Sequence, residues 1–340
     1  MRKILRIMIR RSVNAVITIL GILCLNYVLI RLMPGNAEAN LAPHNPQYAG
    51  YLADNIRIFG LDQSQEAQFA IYLKNAFTLN WGISYYWKQP VADLLLHDLT
   101  WTLLLVGTST IFTTLIGMIV GSYAAVRRGK PFDLLSTGGG IFLYGMPIFW
   151  LGIMLQLGSQ KINPIMHSNF TWWPTIPTQG YWDDPNTGFP QVWAWDWLHV
   201  SNVLLHLFLP ALTLSLGTLA GISLVMRSSL IDVMTEDFVL TARAKGLNDG
   251  QVLRRHIFPN GLPPMLSLIA LDIAFIFGGA YQVEWVFNYK GIGWRTISAI
   301  EHLDFPTLQF IIVIGGVAIV LANLFSDFLL LWLDPRIKIT

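Results

Sequence analysis

The sequence predicts an all-α membrane protein with six transmembrane helices, on three observations. Of 340 residues, 54% are hydrophobic and 12% charged, with a mean hydropathy of +0.50; a soluble domain carries about 25% charged residues. Six mostly apolar stretches approach the roughly 20 residues that a helix needs to cross about 30 Å of hydrocarbon: Ser12–Ile30, Thr102–Val126, Leu135–Gly158, Val203–Val225, Pro264–Glu284 and Gln309–Trp332. Finally, lysine and arginine concentrate in alternate connections, as they do in short cytoplasmic loops.

The first stretch follows Arg2, Lys3, Arg6, Arg10 and Arg11. It exceeds the apolar core of a secretory signal, and no small-residue cleavage site directly follows it, so it reads as a retained helix. Its Cys24 is the one cysteine of the chain, which leaves no internal disulfide framework and no cysteine metal cluster. With the N-terminus inside, the inside segments hold 15 of the 22 basic residues, including Arg127, Arg128 and Lys130, Arg227 to Arg255, and Arg336 and Lys338. Both termini are therefore expected in the cytoplasm. A net charge of +2 without a basic, aromatic-laced tract gives no reason to expect nucleic acid.

Residues 32–100 lie outside on this reading. Ile56, Phe59, Gln63, Ala67, Phe69, Ile71, Leu73 and Phe77 recur at helical spacing and predict short helices near the membrane surface. The outside segment Ser159–Asn202 carries Trp172, Trp173, Trp182, Trp193, Trp195 and Trp197, which reads as an interfacial belt or packed loop. Asn169-Phe-Thr171 satisfies the glycosylation triplet. Small residues at Gly117-x-x-x-Gly121, Gly138-Gly-Gly140 and Gly217-x-x-x-Gly221 predict close helix approach. None is a phosphate loop, because Pro131 follows Gly129-Lys130 where Ser or Thr is required. The chain has no nucleotide site of its own, no cofactor is implied, and no Ser, Cys or carboxylate pair is placed for catalysis. The seven histidines have no metal-ligand spacing.

Met226–Leu262 is longer than a turn. Val239, Leu240, Ala242, Arg243, Ala244 and Lys245 favour a helix, and Gly246 stands where a left-handed C′ residue ends one. Asn248 and Gln251 occupy N-cap and N3 of a second short helix. Helix, glycine corner and helix make a rigid knob. Among intramembrane ionisable residues, each a functional hypothesis, Asp272 either lines a translocation path or hydrogen-bonds a neighbouring helix. Glu284 is expected to face the external gate.

Asp237-Phe-Val-Leu-Thr-Ala-Arg-Ala-Lys-Gly246-Leu, then Leu253-Arg-Arg-His256 and Pro259-Asn260, resembles the coupling loop of ABC importer permeases of the dipeptide, oligopeptide and nickel family. Ala242 and Gly246 fall on the signature's Ala and Gly. Thr241 stands for its first Ala, Leu240 for its Glu and His256 for its Ile, so Leu240 takes no acidic role. Arg31-Leu-Met-Pro-Gly35, Gly60-Leu-Asp62, Gly82-Ile-Ser84, Pro147-Ile-Phe-Trp150, Gly291-Ile-Gly293, Asp304-Phe-Pro306 and Asp334-Pro-Arg336 extend the resemblance, to the B-type subunit, along nearly the whole chain. Asp327, in Asn323-Leu-x-x-Asp327, is by resemblance to a family pattern a cap or ion pair near the cytoplasmic end of its helix.

The resemblance implies a type I permease fold. Residues 1–31 would form the tail and first helix, 32–100 a structured external region, and 101–340 the permease core with its coupling loop at 226–262. It implies a multi-pass protein of the cell membrane that is not itself an enzyme. Its partners would be a related second permease, two ATP-binding subunits and an external solute-binding protein. Asp237, Phe238, Val239, Thr241, Ala242, Arg243, Lys245, Gly246 and Arg254 become the ATPase-coupling residues, with Arg243, Lys245 and Arg254 polar and Phe238 and Val239 apolar. Asp272 and Glu284 are the candidates for the pathway. Di- or oligopeptides are the expected cargo, with nickel, glutathione or oligosaccharide as alternatives within the family. An ion-driven secondary carrier would need paired intramembrane charges or repeats, which the sequence lacks.

Overall fold

The computed structural model describes residues 2–32, 49–170, 174–180, 197–265, 268 and 280–333. Its helices are α1 (Arg2–Leu32), α2 (Ala49–Phe59), α3 (Gln65–Thr78), α4 (Val91–Val126), α5 (Pro131–Tyr144), α6 (Ile148–Asn169) and α7 (Trp197–Met234). They continue with α8 (Asp237–Ala244), α9 (Asp249–Val252), a π turn at Leu253–Ile257, α10 (Phe258–Gly261), α11 (Tyr281–Val286), α12 (Ile292–Glu301) and α13 (Phe305–Leu333). Among the described residues there is no strand, only an isolated bridge between Ile83 and Pro90. Among the described residues, four helices are long and apolar enough to cross a membrane, or up to five if α5 and α6 form one bent span.

The third expected span, Leu135–Gly158, is not one helix. It breaks at Gly145–Pro147, and α5 and α6 meet at 103°. Proline lacks an N–H and drives its predecessor, Met146, out of the helical region. The fifth expected span, Pro264–Glu284, falls mostly at 266–267 and 269–279, outside the described residues, as does Asp272. Pro34-Gly35, Asp334-Pro-Arg336 and the tryptophans Trp172, Trp173, Trp182, Trp193 and Trp195 fall there too.

The chain divides into two compact units. In the first, comprising Met1–Leu104, Ala274–Trp285 and Lys290–Thr340, Leu23, Tyr27 and Ile30 of α1 share a core with Phe59, Tyr72, Trp81, Val91, Leu95, Ile292 and Phe310. The expected surface helices exist as α2 and α3, and they are bound into this core. Ser64 caps α3, accepting the Ala67 N–H at 3.4 Å. Trp81 stacks on Phe310 at 5.1 Å, and Tyr27 meets Phe69 edge-on at 5.0 Å. Buried Asn26 donates to the Tyr72 hydroxyl (3.0 Å) and to the Gln309 carbonyl (2.9 Å), joining α1, α3 and α13. Asp327 of α13 pairs with Arg11 of α1 at 3.2 Å, the ion pair its place near a helix end suggested.

In the second unit, comprising Leu105–Ile273 and Val286–Tyr289, α4 and α7 lie against each other. Hydroxyls connect them: Ser109 donates to the Ala211 carbonyl (3.3 Å), Ser215 to the Ser109 carbonyl (3.3 Å), and Thr113 meets Thr218 at 3.2 Å. Between helices in lipid such bonds contribute on the order of 0.6–2 kcal/mol each. Close approach makes them reachable. A Cβ at Gly121 would collide with the Ser223 carbonyl and lie 2.9 Å from Met226 Cβ, whereas at Gly221 it would meet nothing within 4 Å. Of the three expected small-residue stretches, Gly117 and Gly121 pack tightly, Gly140 and Gly217 meet a neighbour at 3.3 and 3.1 Å, and Gly138, Gly139 and Gly221 have open space.

Gly121→Leu is expected to lower stability by about 1–3 kcal/mol or more, the usual cost of overpacking, and Gly221→Ala to change it little. Thermal unfolding of the two variants in one detergent checks this; equal midpoints would contradict the packing described.

Candidate functional site

The segment Met226–Leu262 begins inside a helix. α7 runs on to Met234, nine residues past the predicted span end at Val225, so the span itself enters the knob. Glu236 then stands in extended conformation as N-cap and α8 starts at Asp237, an acidic residue suited to a helix N-terminus. α8 ends as its sequence predicts: Lys245 donates to the Thr241 carbonyl (3.1 Å), and Gly246, at φ +81°, donates to the Arg243 carbonyl (2.9 Å). Asn248 and Gln251 form a reciprocal capping box, with bonds of 2.9 and 3.2 Å. A π turn carries Leu253, Arg254, Arg255, His256 and Ile257 into α10.

Helical spacing sorts the candidate coupling residues into two faces. Val239, 1% exposed, and Ala242 turn inward and pack with Val252 and Ile257 against Met226 and Leu230 of α7. Val239 was expected in the apolar part of a docking face; the structure places it in the interior instead. The outer face consists of Asp237, Thr241, Arg243 and Lys245 with Phe238, 40% exposed, and Leu240, 71% exposed. Leu240, which takes no acidic role, is more exposed than Phe238, the other large apolar residue on this face. Arg254 is also exposed. Arg243 lies 3.5 Å from Asp249 in an exposed pair, worth about 0–1 kcal/mol.

Two further bonds fasten the knob and its approach. Ser229 of α7 donates to the Gly261 carbonyl of α10 at 2.8 Å. Arg227 of α7 grips the buried Asp133 of α5 through two nitrogens, Nη2 at 2.8 Å, and Asp133 also accepts the Gly129 N–H at 2.8 Å. No local sequence signal marks that pair, whose members lie 94 residues apart.

In the first unit, Glu284 is fully buried. It was expected to face a gate; its side chain instead supports the start of α12, which has Gly291 as N-cap and no capping side chain of its own. Thr102 accepts the Ile292 N–H (2.8 Å) and donates to Glu284 (2.8 Å), which in turn accepts the Trp294 N–H (3.0 Å). Two of the N–H groups that a helix start leaves unbonded are thus satisfied by distant residues, with a carboxylate at the favourable end of the dipole. The motif Gly291-Ile-Gly293 follows from this: a Cβ at Gly291 would lie 2.6 Å from the Glu284 carboxylate, and one at Gly293 would lie 2.6 Å from Tyr281 Cα.

Beside it, buried Arg295 forks onto buried Asp98, with Nη2 at 3.0 Å, and lies 4.2 Å over the Trp87 ring. Asp304 accepts from Ser84 and from the Thr307 N–H at 3.4 Å, which makes it the cap of α13 and accounts for Asp304-Phe-Pro306. Burial pushes the Asp304 carboxyl above its ordinary value, while the bonds from Ser84 and Thr307 act the other way. Sequence reasoning missed Asp98, Thr102 and Ser84, because their partners lie 182 to 220 residues away.

Long apolar helices bearing a structured, cation-rich knob define a membrane transport subunit of the permease class. Residues 117–339 match the family described as binding-protein-dependent transport system inner membrane component, and the chain belongs to that family. It is 32% identical to the dipeptide transport system permease protein DppB of Escherichia coli (strain K12), over 98% of this chain and 99% of that one. It is 30% identical to the oligopeptide transport system permease protein AppB of Bacillus subtilis (strain 168), over 97% and 98%. With the glutathione transport system permease protein GsiC of Escherichia coli (strain K12), the identity is 29% over 98% and 99%.

Removing one partner of a buried ion pair leaves an uncompensated charge, at a cost of about 3–5 kcal/mol. Arg295→Met is therefore expected to destabilise the protein by that order, and the double variant Asp98→Leu/Arg295→Met to recover most of the loss. Thermal unfolding of the three proteins checks this; a double variant no better than the single one would contradict it.

Proposed function

We propose that this chain is the B-type permease subunit of an ATP-driven importer of di- or oligopeptides, forming half of the translocation pathway. Its full-length similarity to dipeptide and oligopeptide permeases carries this reading. Glutathione is a second reading, supported by the glutathione permease relative; it is itself a modified tripeptide, so the two cargoes share amide and carboxylate chemistry. The partners would be a related second permease, two ATP-binding subunits that hydrolyse ATP, and an external solute-binding protein. Both termini and the knob would face the cytoplasm, as the distribution of basic residues suggests.

In this mechanism closure of the ATP-binding subunits displaces the knob over residues 235–256. Phe238 and Leu240 supply the apolar part of the docking face, and Arg243, Lys245 and Arg254 the cationic part. Val239 and Ala242 act from within, holding α8 to α7. Packed helices shift as bodies rather than deform, so α7 would carry the displacement into the membrane and switch access. Asp272 and Glu284 stay candidates for the pathway: Asp272 by direct contact with cargo, Glu284 through the α12 start that it supports.

Gly246 has open space around it, so a side chain there meets no neighbour and costs only the left-handed backbone, about 1–2 kcal/mol. Gly246→Val is expected to leave insertion intact while uncoupling ATP hydrolysis from peptide uptake in the reconstituted importer. Unchanged coupling in that assay would overturn the knob mechanism. Identification of the ligand that co-purifies with the complex tests the cargo.

A further inference from the structure

A groove of about 430 Å³ runs between the last turns of α4 and the knob. Leu115, Ile119, Tyr123 and Val126 form one wall, a single stripe at helical spacing, and Leu253 and Phe258 form the other. Ile119 is 69% exposed, and Leu115, Tyr123 and Val126 are exposed with it. The groove ends where the apolar helix ends, at Arg127, Arg128 and Lys130. The Arg127 guanidinium lies 4.3 Å over the ring of Tyr123, a wall residue, which puts a cation at the mouth. Arg254 and Arg255 follow directly on Leu253 and are exposed.

Exposed carboxylates of this segment, Asp232, Glu236 and Asp237, sit at the end of α7 and the start of α8, whereas the chain next to the groove walls carries arginines. Arg227 and Arg243 are matched by Asp133 and Asp249. Arg127, Arg128, Arg254 and Arg255 have no carboxylate partner among the described residues. An apolar slot, opening onto unmatched guanidinium groups at the end of a membrane span, complements the acyl chain and the charge of a phospholipid with an anionic headgroup.

We propose that this groove binds an anionic phospholipid, acyl chain between α4 and the knob and phosphate at Arg127. The inference rests on the membrane-permease reading with this end at the inner leaflet, and goes beyond it. Because Leu253 and Phe258 belong to the knob, the bound chain braces the knob against α4 and ties its position to the lipid around it.

Native mass spectrometry of the assembled importer, incubated with phosphatidylglycerol or phosphatidylcholine, tests this. Phosphatidylglycerol should be retained and phosphatidylcholine should not displace it, nor should inorganic phosphate. Arg127→Gln should weaken retention about fivefold, the share of one basic residue near a membrane surface, and Arg127→Lys should preserve it. Ser122→Phe, which fills the groove without altering charge, should weaken it as much. Equal retention of both lipids, or undiminished retention in Arg127→Gln and Ser122→Phe, would overturn the proposal. So would efficient crosslinking of Ile119→Cys, in a Cys24→Ser background, to the second permease, which would make the groove a protein interface. Peptide uptake surviving any of these results would leave the permease reading intact while removing the lipid site.

Discussion

The knob has no core apart from the helix that carries it. Val239, Ala242, Val252 and Ile257 are buried against Met226 and Leu230, so α8, the π turn and the end of α7 share one apolar cluster. Each large apolar side chain buried there contributes about 1.5–3 kcal/mol. The Asn248 cap contributes about 1 kcal/mol, and the exposed Arg243–Asp249 pair less. Packing therefore sets the rigidity of the knob, and caps and ion pairs set its outline. Val239, between Leu240 and Phe238, ties α8 to α7 through that cluster across the break at 235–236. That property suits a coupling element better than it suits a loop whose task is only to satisfy charge distribution.

The first unit solves a different problem, that of polar groups where water is scarce. Among the described residues, every acid or arginine buried there has a specific use: Glu284 at the start of α12, Asp304 at the start of α13, and Asp98 against Arg295. Glu284 serves a helix whose own N-cap, Gly291, offers no side chain, and Asp304 is itself the N-cap of the helix it serves. The third holds an arginine between its own charge and an indole face. Carboxylates in a membrane protein invite assignment to a transport path. Here each of them is engaged in hydrogen bonds, and the short motifs around them follow from the geometry of that bonding.

Local chemistry was legible in the sequence, and distant pairing was not. Gly246 and the Asn248–Gln251 box act within a few residues, so propensity and capping rules reached them, and the amphipathic spacing of Phe59 to Leu73 revealed α2 and α3. The inward direction of Val239 was not legible, because an eight-residue helix with apolar residues at three consecutive positions, 238 to 240, does not announce which one faces inward. The break at Pro147 was hidden by hydropathy averaging, which counts Gly145, Met146 and Pro147 as tolerable while their backbone preferences end the helix. Glu284 read as a gate residue because nothing near it in sequence mentions Thr102 or Ile292. The Arg227–Asp133 and Arg295–Asp98 pairs likewise join residues about a hundred or two hundred positions apart.

The central claim is that knob and α7 move as one body. Spin labels at Leu240 on the outer face of α8 and at Ser228 on the exposed side of α7 report it directly, by electron paramagnetic resonance on the assembled importer. The account predicts one narrow distance distribution that stays the same in the nucleotide-free, ATP-bound and post-hydrolysis states. A distribution that broadens or shifts with nucleotide would mean that the knob hinges on α7, and would contradict it.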